Sequence, residues 1–148
     1  MDRAGQGPAA VVEKLLEAIN AHDLESMEDC FSGGFVNEWP AYPQRGFRGG
    51  QRVQTTWSEI FAGVPDLRAE VPRMVVDGDT VWSEWEISGT RRDGGAVLMR
   101  GVAIFGVAAG CLASVRFYLE PVDQTGGDDN TFTRRVMGTE AAGPEITR

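Results

Sequence analysis

Side chains with chemical potential cluster early in the chain, in Asn37-Glu38-Trp39-Pro40-Ala41-Tyr42-Pro43. A carboxylate at Glu38, at the inner end of a short strand and beside Trp39, has its pKa raised where it faces an apolar cavity, because burial penalises the charged form. Such a group works as a general acid or base. Facing water, the same residue is only a solvated glutamate at a strand end. Tyr42 offers a phenolic donor at the cavity mouth, or packs against a helix between its prolines. Glu38 and Tyr42 are thus the expected catalytic pair. Trp39, Trp57, Trp85, Met99 and Phe117 are the expected substrate-binding wall, since small-molecule sites are mostly aromatic and aliphatic with few polar groups. For Trp57 and Trp85 core packing is the default role, and ligand contact is compatible with it. The lone histidine, His22, follows a helix in Asn20-Ala21-His22-Asp23-Leu24 and reads as a surface or capping residue.

Several chemistries are not indicated. No Gly-rich phosphate loop follows a strand, no Gly-x-Ser-x-Gly elbow occurs, and no His/Asp/Glu cluster has metal spacing, so neither a nucleotide cofactor nor a metal is expected. With 14 Lys+Arg against 22 Asp+Glu, the net charge of −8 repels phosphate backbones and anionic membranes, which argues against nucleic-acid and membrane partners. Cys30 and Cys111 are far apart in sequence and lack a CxxC pattern, which suits a reducing compartment. The N-terminus has no secretory apolar run and no stretch of about 18 apolar residues could span a bilayer, so a cytoplasmic location is expected.

The elements that must position these residues follow from periodicity. Residues 8–21 read as a helix with Val12, Leu15, Leu16 and Ile19 on one stripe. Asp23 caps a second helix running to Phe31, which Gly33-Gly34 ends. A brief strand, 35–39, is cut off by Pro40, and a third helix carries Val53, Trp57, Ile60 and Phe61 up to Gly63 and Pro65. From Asp66 the period changes to two, with turns at Asp77-Gly78-Asp79, Arg92-Asp93-Gly94-Gly95 and Ala109-Gly110. Four long strands in meander order are expected, at roughly 67–76, 79–91, 96–107 and 111–122, with Pro72 and Gly101 as bend or bulge positions. Thr131 to Met137 reads as a further helical turn or two, and 138–148 as disordered. At 148 residues one domain is expected: a flexible N-terminus at 1–7, the domain at 8–123, and a partly disordered extension at 124–148.

Alternation sorts the strand faces. Val81, Ser83, Trp85 and Ile87, then Val97, Met99, Gly101, Ala103 and Phe105, then Ala113, Val115, Phe117 and Leu119, form the inward set, which leaves Leu112 on the outward side. The outward set mixes Trp82, Val102, Ile104 and Tyr118 with Glu84, Glu86, Arg100, Arg116 and Glu120, and reads as a homodimer face, a solvated charge ladder being the plainer alternative. A one-residue slip at a bulge would turn Glu84, Arg100, Arg116, Tyr118 and Glu120 inward instead.

The order helix, helix, short strand, helix, four-strand meander, with Asn20-Ala21-His22-Asp23-Leu24, Phe47-Arg48-Gly49, Gly89-Thr90 and Arg100-Gly101-Val102-Ala103-Ile104-Phe105, resembles the SnoaL-like branch of the nuclear-transport-factor-two-like superfamily over about residues 8–123. The resemblance implies an α+β fold: a cone-shaped, curved antiparallel sheet with the N-terminal helices on its concave face and a pocket between them. It implies relatives among polyketide cyclases, ketosteroid isomerase and limonene-epoxide hydrolase. Their catalytic positions fall here on Leu15, Ala103, Phe117, Trp85 and Ile87, so the oxyanion-hole donors and the acid-base sets of those enzymes are absent. Glu38 falls where the hydrolase holds a water with an asparagine. The expected function is a cofactor-independent cyclase, isomerase or epoxide-hydrolase-like enzyme for a small hydrophobic, oxygenated molecule such as a polyketide. The alternative is a non-catalytic binding or dimerisation module of the same fold.

Overall fold

A computed structural model describes residues 7–124 and 126–139. Helices α1 (Gly7–Asn20) and α2 (Leu24–Asp29) open the chain, followed by strand β1 (Phe31–Glu38), a single 3-10 turn (Pro43–Arg45), the two-residue strand β2 (Phe47–Arg48) and helix α3 (Gly50–Gly63). Strands β3 (Arg68–Asp77), β4 (Thr80–Thr90), β5 (Ala96–Ala108) and β6 (Cys111–Pro121) then run as a meander, and helix α4 (Asp129–Met137) follows. The sheet order is β2-β1-β6-β5-β4-β3.

The meander is antiparallel, as its turns require. Between β5 and β6, Ala109 and Gly110 both take positive φ (53° and 75°), the backbone twist that lets two residues join right-twisted strands. The sheet as a whole is mixed, because β1 lies parallel to β6, with Asn37 opposite Val115. A strand separated from its neighbour by the whole meander can arrive in either direction, which periodicity does not report. β1 also begins earlier than expected: Phe31 leaves α2 directly to pair with Leu112, and Gly33 and Gly34 sit in a register shift inside the strand rather than at a helix end.

Curvature comes from three places. Pro72 lies in a register shift between Glu70 and Arg73. A second shift, between Gly106 and Val107, turns Leu112 fully into the core. At Gly101, paired with Trp85 and Leu119, β6 passes so close that a Cβ would stand 2.0 Å from the Tyr118 carbonyl oxygen. Only glycine fits there.

The helices cover the concave face. Val11, Val12, Leu15, Ala18 and Ile19 of α1 are buried against Leu67, Ala69, Val81 and Phe105, each large apolar side chain contributing about 1.5–3 kcal/mol. Asp23 caps α2, accepting from Ser26 N at 3.1 Å and Ser26 Oγ at 2.7 Å, and these bonds hold its carboxyl below the usual range. Asn20 fastens the end of α1 to β3 by donating to Ala69 O (3.0 Å) and accepting from Ala69 N (2.8 Å). His22 donates from Nε2 to Leu67 O (2.8 Å) and stacks on Phe61 at 4.2 Å. The histidine is a structural clamp between α1, α3 and β3.

Among the described residues no helix is long and apolar enough to cross a membrane. The readings of residues 1–6 and 140–148 lie outside the described residues.

Candidate small-molecule site

The inward-facing residues enclose a cavity of about 420 Å³ between the sheet and the helices. Its floor is Trp85, Ile87, Phe105, Val115, Phe117 and Leu119, and its roof is Leu15, Ile19, Val53, Trp57 and Ile60. Trp39, Met99 and Val97 complete the walls, so Trp39, Trp57, Trp85, Met99 and Phe117 all line it. Trp39 leans on Phe117 with ring centroids 4.8 Å apart, and Trp57 on Phe61 at 5.5 Å. The indole N–H of Trp85 is consumed internally: it donates to Ser83 Oγ at 2.9 Å, and Ser83 donates onward to Ala103 O at 2.7 Å. Trp85 therefore presents an apolar face.

The buried polar side chain in the lining is Asn37. Along the end of β1 and the residue that follows it, Phe35, Asn37 and Trp39 point inward and Val36 and Glu38 outward, the alternation of a strand. Asn37 is 7% exposed, and its Oδ1 is buried without a hydrogen-bond partner. Leaving a buried carbonyl unpaired costs about 1–3 kcal/mol, so such a group signals either a ligand or a strain reservoir.

Glu38 is corrected by the same alternation. Its side chain is 53% exposed and accepts from Arg116 Nη1 at 3.2 Å on the convex face, beside a separate outer hollow of about 210 Å³. Water, not an apolar wall, surrounds the carboxylate, and the burial required by its acid-base role is missing. Tyr42 is likewise outside: it is 40% exposed, donates to Glu120 Oε1 at 3.2 Å, and carries the Arg45 guanidinium 3.7 Å over its ring. Glu84, Arg100, Arg116, Tyr118 and Glu120 keep to the outer face too, with ion pairs Arg73–Glu84 at 3.8 Å and Arg100–Glu86 at 2.6 Å. At these positions the register has not slipped.

The exposed lining residues mark the mouth. They are Glu59 and Gly63 of α3 and Arg91 of the β4–β5 turn. Arg91 donates to both oxygens of Asp93 at 3.1 Å, which keeps the guanidinium charged and the carboxyl low. Arg92 ties the turn to α3 through Ala62 O at 2.6 Å. Among the described residues no group of three His, Cys, Asp or Glu is placed to hold a metal ion.

Residues 12–115 match the SnoaL-like domain model. The chain belongs to the SnoaL-like family. Solved structures agree on the fold. An LEH-like epoxide hydrolase of Mycobacterium tuberculosis is 22% identical, superposes with a TM-score of 0.65, and covers 75% of this chain and 80% of that one. A putative polyketide cyclase of Sinorhizobium meliloti gives 19%, 0.60, 79% and 99%. A Mycobacterium tuberculosis protein solved with estradiol-17beta-hemisuccinate gives 19%, 0.67, 76% and 94%. No curated protein matches the sequence. In this SnoaL-like chain, Leu15, Trp85, Ile87 and Phe117 line the cavity with apolar atoms, and Ala103 is buried behind it.

Sequence reasoning missed Asn37 because it favoured the ionisable neighbour. The available signal was the two-residue period linking Asn37 to Phe35 and Trp39.

Proposed function

We propose that the cavity takes a small hydrophobic, oxygenated molecule and orients it by one hydrogen bond to Asn37, without a cofactor. The observation that carries this reading is the orphaned Asn37 Oδ1 in a chamber whose other fully buried lining side chains are apolar. The volume falls within the usual range for ligand pockets, about 300–1,000 Å³. A ligand hydroxyl or enol restores the missing bond. Turnover, as cyclisation or isomerisation, then comes from confinement: holding a flexible substrate near its reactive conformation removes an entropic barrier without a charged side chain. The ionisable lining residues, Glu59 and Arg91, stand at the rim, away from the floor.

That same distribution favours a second reading, a binding module that holds its ligand without changing it. Estradiol, whose ester occupies one structural neighbour, is a suitable first probe because it joins an apolar ring system to hydroxyl donors. Calorimetric titration of wild type and Asn37→Leu tests the shared claim: a tenfold or greater loss of affinity, about 1.4 kcal/mol, is expected in the variant. Equal affinity removes Asn37 from the site. Conversion of a bound substrate to product separates enzyme from binding module.

A cytoplasmic, homodimeric protein completes the proposal. The convex face exposes Trp82 (50%) and Tyr118 (42%) around Val102 and Ile104, an aromatic patch edged by the ion pairs above, which suits a second copy. Light scattering is expected to give twice the chain mass, falling to one chain in Trp82→Arg.

A further inference from the structure

Beyond the sheet the chain builds a helix whose apolar side stays exposed among the described residues. α4 is firmly specified at both ends: Asp128 accepts from Thr131 N at 3.0 Å, and Gly138, at φ 76°, closes the last turn. Yet Phe132, Val136 and Met137 remain 61%, 56% and 65% exposed. At about 100° per residue they share one stripe with Thr133, and Arg134 and Arg135 flank it on opposite sides. Helices this short are marginal alone in water and take their stability from a surface.

The chain leaves the sheet beside a surface of that kind. Pro121 pairs with Met99, and Val122 N donates to Leu98 O at 2.9 Å, so β6 ends next to the part of β5 that lines the cavity mouth. The six residues 123–128 span up to about 20 Å when extended, enough to carry α4 over the opening. Around that opening Trp57, Ile60, Val64, Val97 and Met99 are only half-buried. Glu59, on the rim, has no ion-pair partner among the described residues, and neither has Arg134.

We propose that α4 is a lid: it closes over the mouth, laying Phe132, Val136 and Met137 on the rim formed by α3 and β5 and bringing Arg134 to Glu59. The proposal rests on the cavity being the ligand site. Closure exchanges two wet apolar surfaces for one dry contact and holds the ligand against escape.

The test is release of N-phenyl-1-naphthylamine from the full-length protein, followed by stopped-flow fluorescence. Phe132→Ser/Val136→Ser, both at exposed positions, is expected to release the dye about tenfold faster, and Glu59→Arg about threefold faster. Adding Arg134→Glu to Glu59→Arg restores slow release. Unchanged release in the double serine variant overturns the lid. So does unchanged release accompanied by a halved molecular mass, which instead seats α4 on a second copy. Thr56→Trp, which plugs the cavity from α3, separates the two readings: it abolishes dye binding if the cavity is the site, and undiminished binding overturns the site itself.

Discussion

On β4, Val81, Ser83, Trp85 and Ile87 are buried while the alternating Trp82, Glu84 and Ser88 are exposed, so one strand serves two chemistries at a spacing of one residue. The concave face has apolar walls and one amide without a partner. The convex face of β4 to β6 carries ionisable groups in high-dielectric surroundings, with Glu84, Glu86, Arg100, Arg116 and Glu120 each close to an opposite charge or a hydroxyl. Reactive side-chain types on the outer sheet face therefore sit where they are already satisfied, and the recognition site proposed above is the face that looks chemically poor. Competence at a pocket is set by what a group lacks, more than by its intrinsic reactivity.

Adjacent substitutions sharpen that contrast. Phe105→Ala empties a fully buried position and is expected to lower stability by about 3–5 kcal/mol in denaturant unfolding, whereas its convex neighbour Ile104→Ala costs about 1 kcal/mol. Similar losses at the two positions would mean the convex face is as firmly packed as the core. Next in size, Asn37→Leu removes the unpaired buried amide, and the ligand-free protein is expected to gain about 1–2 kcal/mol while losing ligand affinity. A loss of stability instead would show that the amide is satisfied within the protein.

Smaller effects are expected outside. Glu38→Gln breaks a half-exposed pair with Arg116 and is expected to change stability by less than about 1 kcal/mol and ligand binding not at all, measured by unfolding and titration in parallel. The smallest and broadest effect is acid sensitivity. Asp23, Asp66, Asp93 and Asp128 all hold their carboxyls below the ordinary value of 3.8 through hydrogen bonds, chiefly to Ser26, Thr90, Arg91 and Thr131. Their folded pKa values are depressed, so their contribution is fully present above pH 4 and is lost as pH falls through the folded values. Melting temperature is expected to stay level from pH 7 to pH 5 and drop below pH 4, and Asp66→Asn flattens part of that drop.

Much of the fold could be read from residue order. The stripe Val12, Leu15, Ile19 and the alternation Val81, Ser83, Trp85, Ile87 report burial directly, because each repeats at the period of its own element. The wall of the cavity was legible for the same reason. The two-residue β2 is too short to carry a period, the parallel pairing of β1 leaves no local mark, and the shift at Gly106/Val107 moves Leu112 inward against the simple count. Glu38 and Asn37 show the sharper lesson: they are neighbours, and the choice between them depended on which side of one short strand faced in.

The Asn20 and His22 contacts have a consequence for the molecule among its copies. β3 is the last strand of an open sheet, and the outward backbone groups at Ala69 and at Leu67, just before the strand, are a template on which another chain could add a strand. The Asn20 amide occupies both groups of Ala69, His22 takes the carbonyl of Leu67, and Pro72 offers no donor farther along. Two side chains from a helix end thus impersonate the missing neighbour, and the sheet's growth stops there.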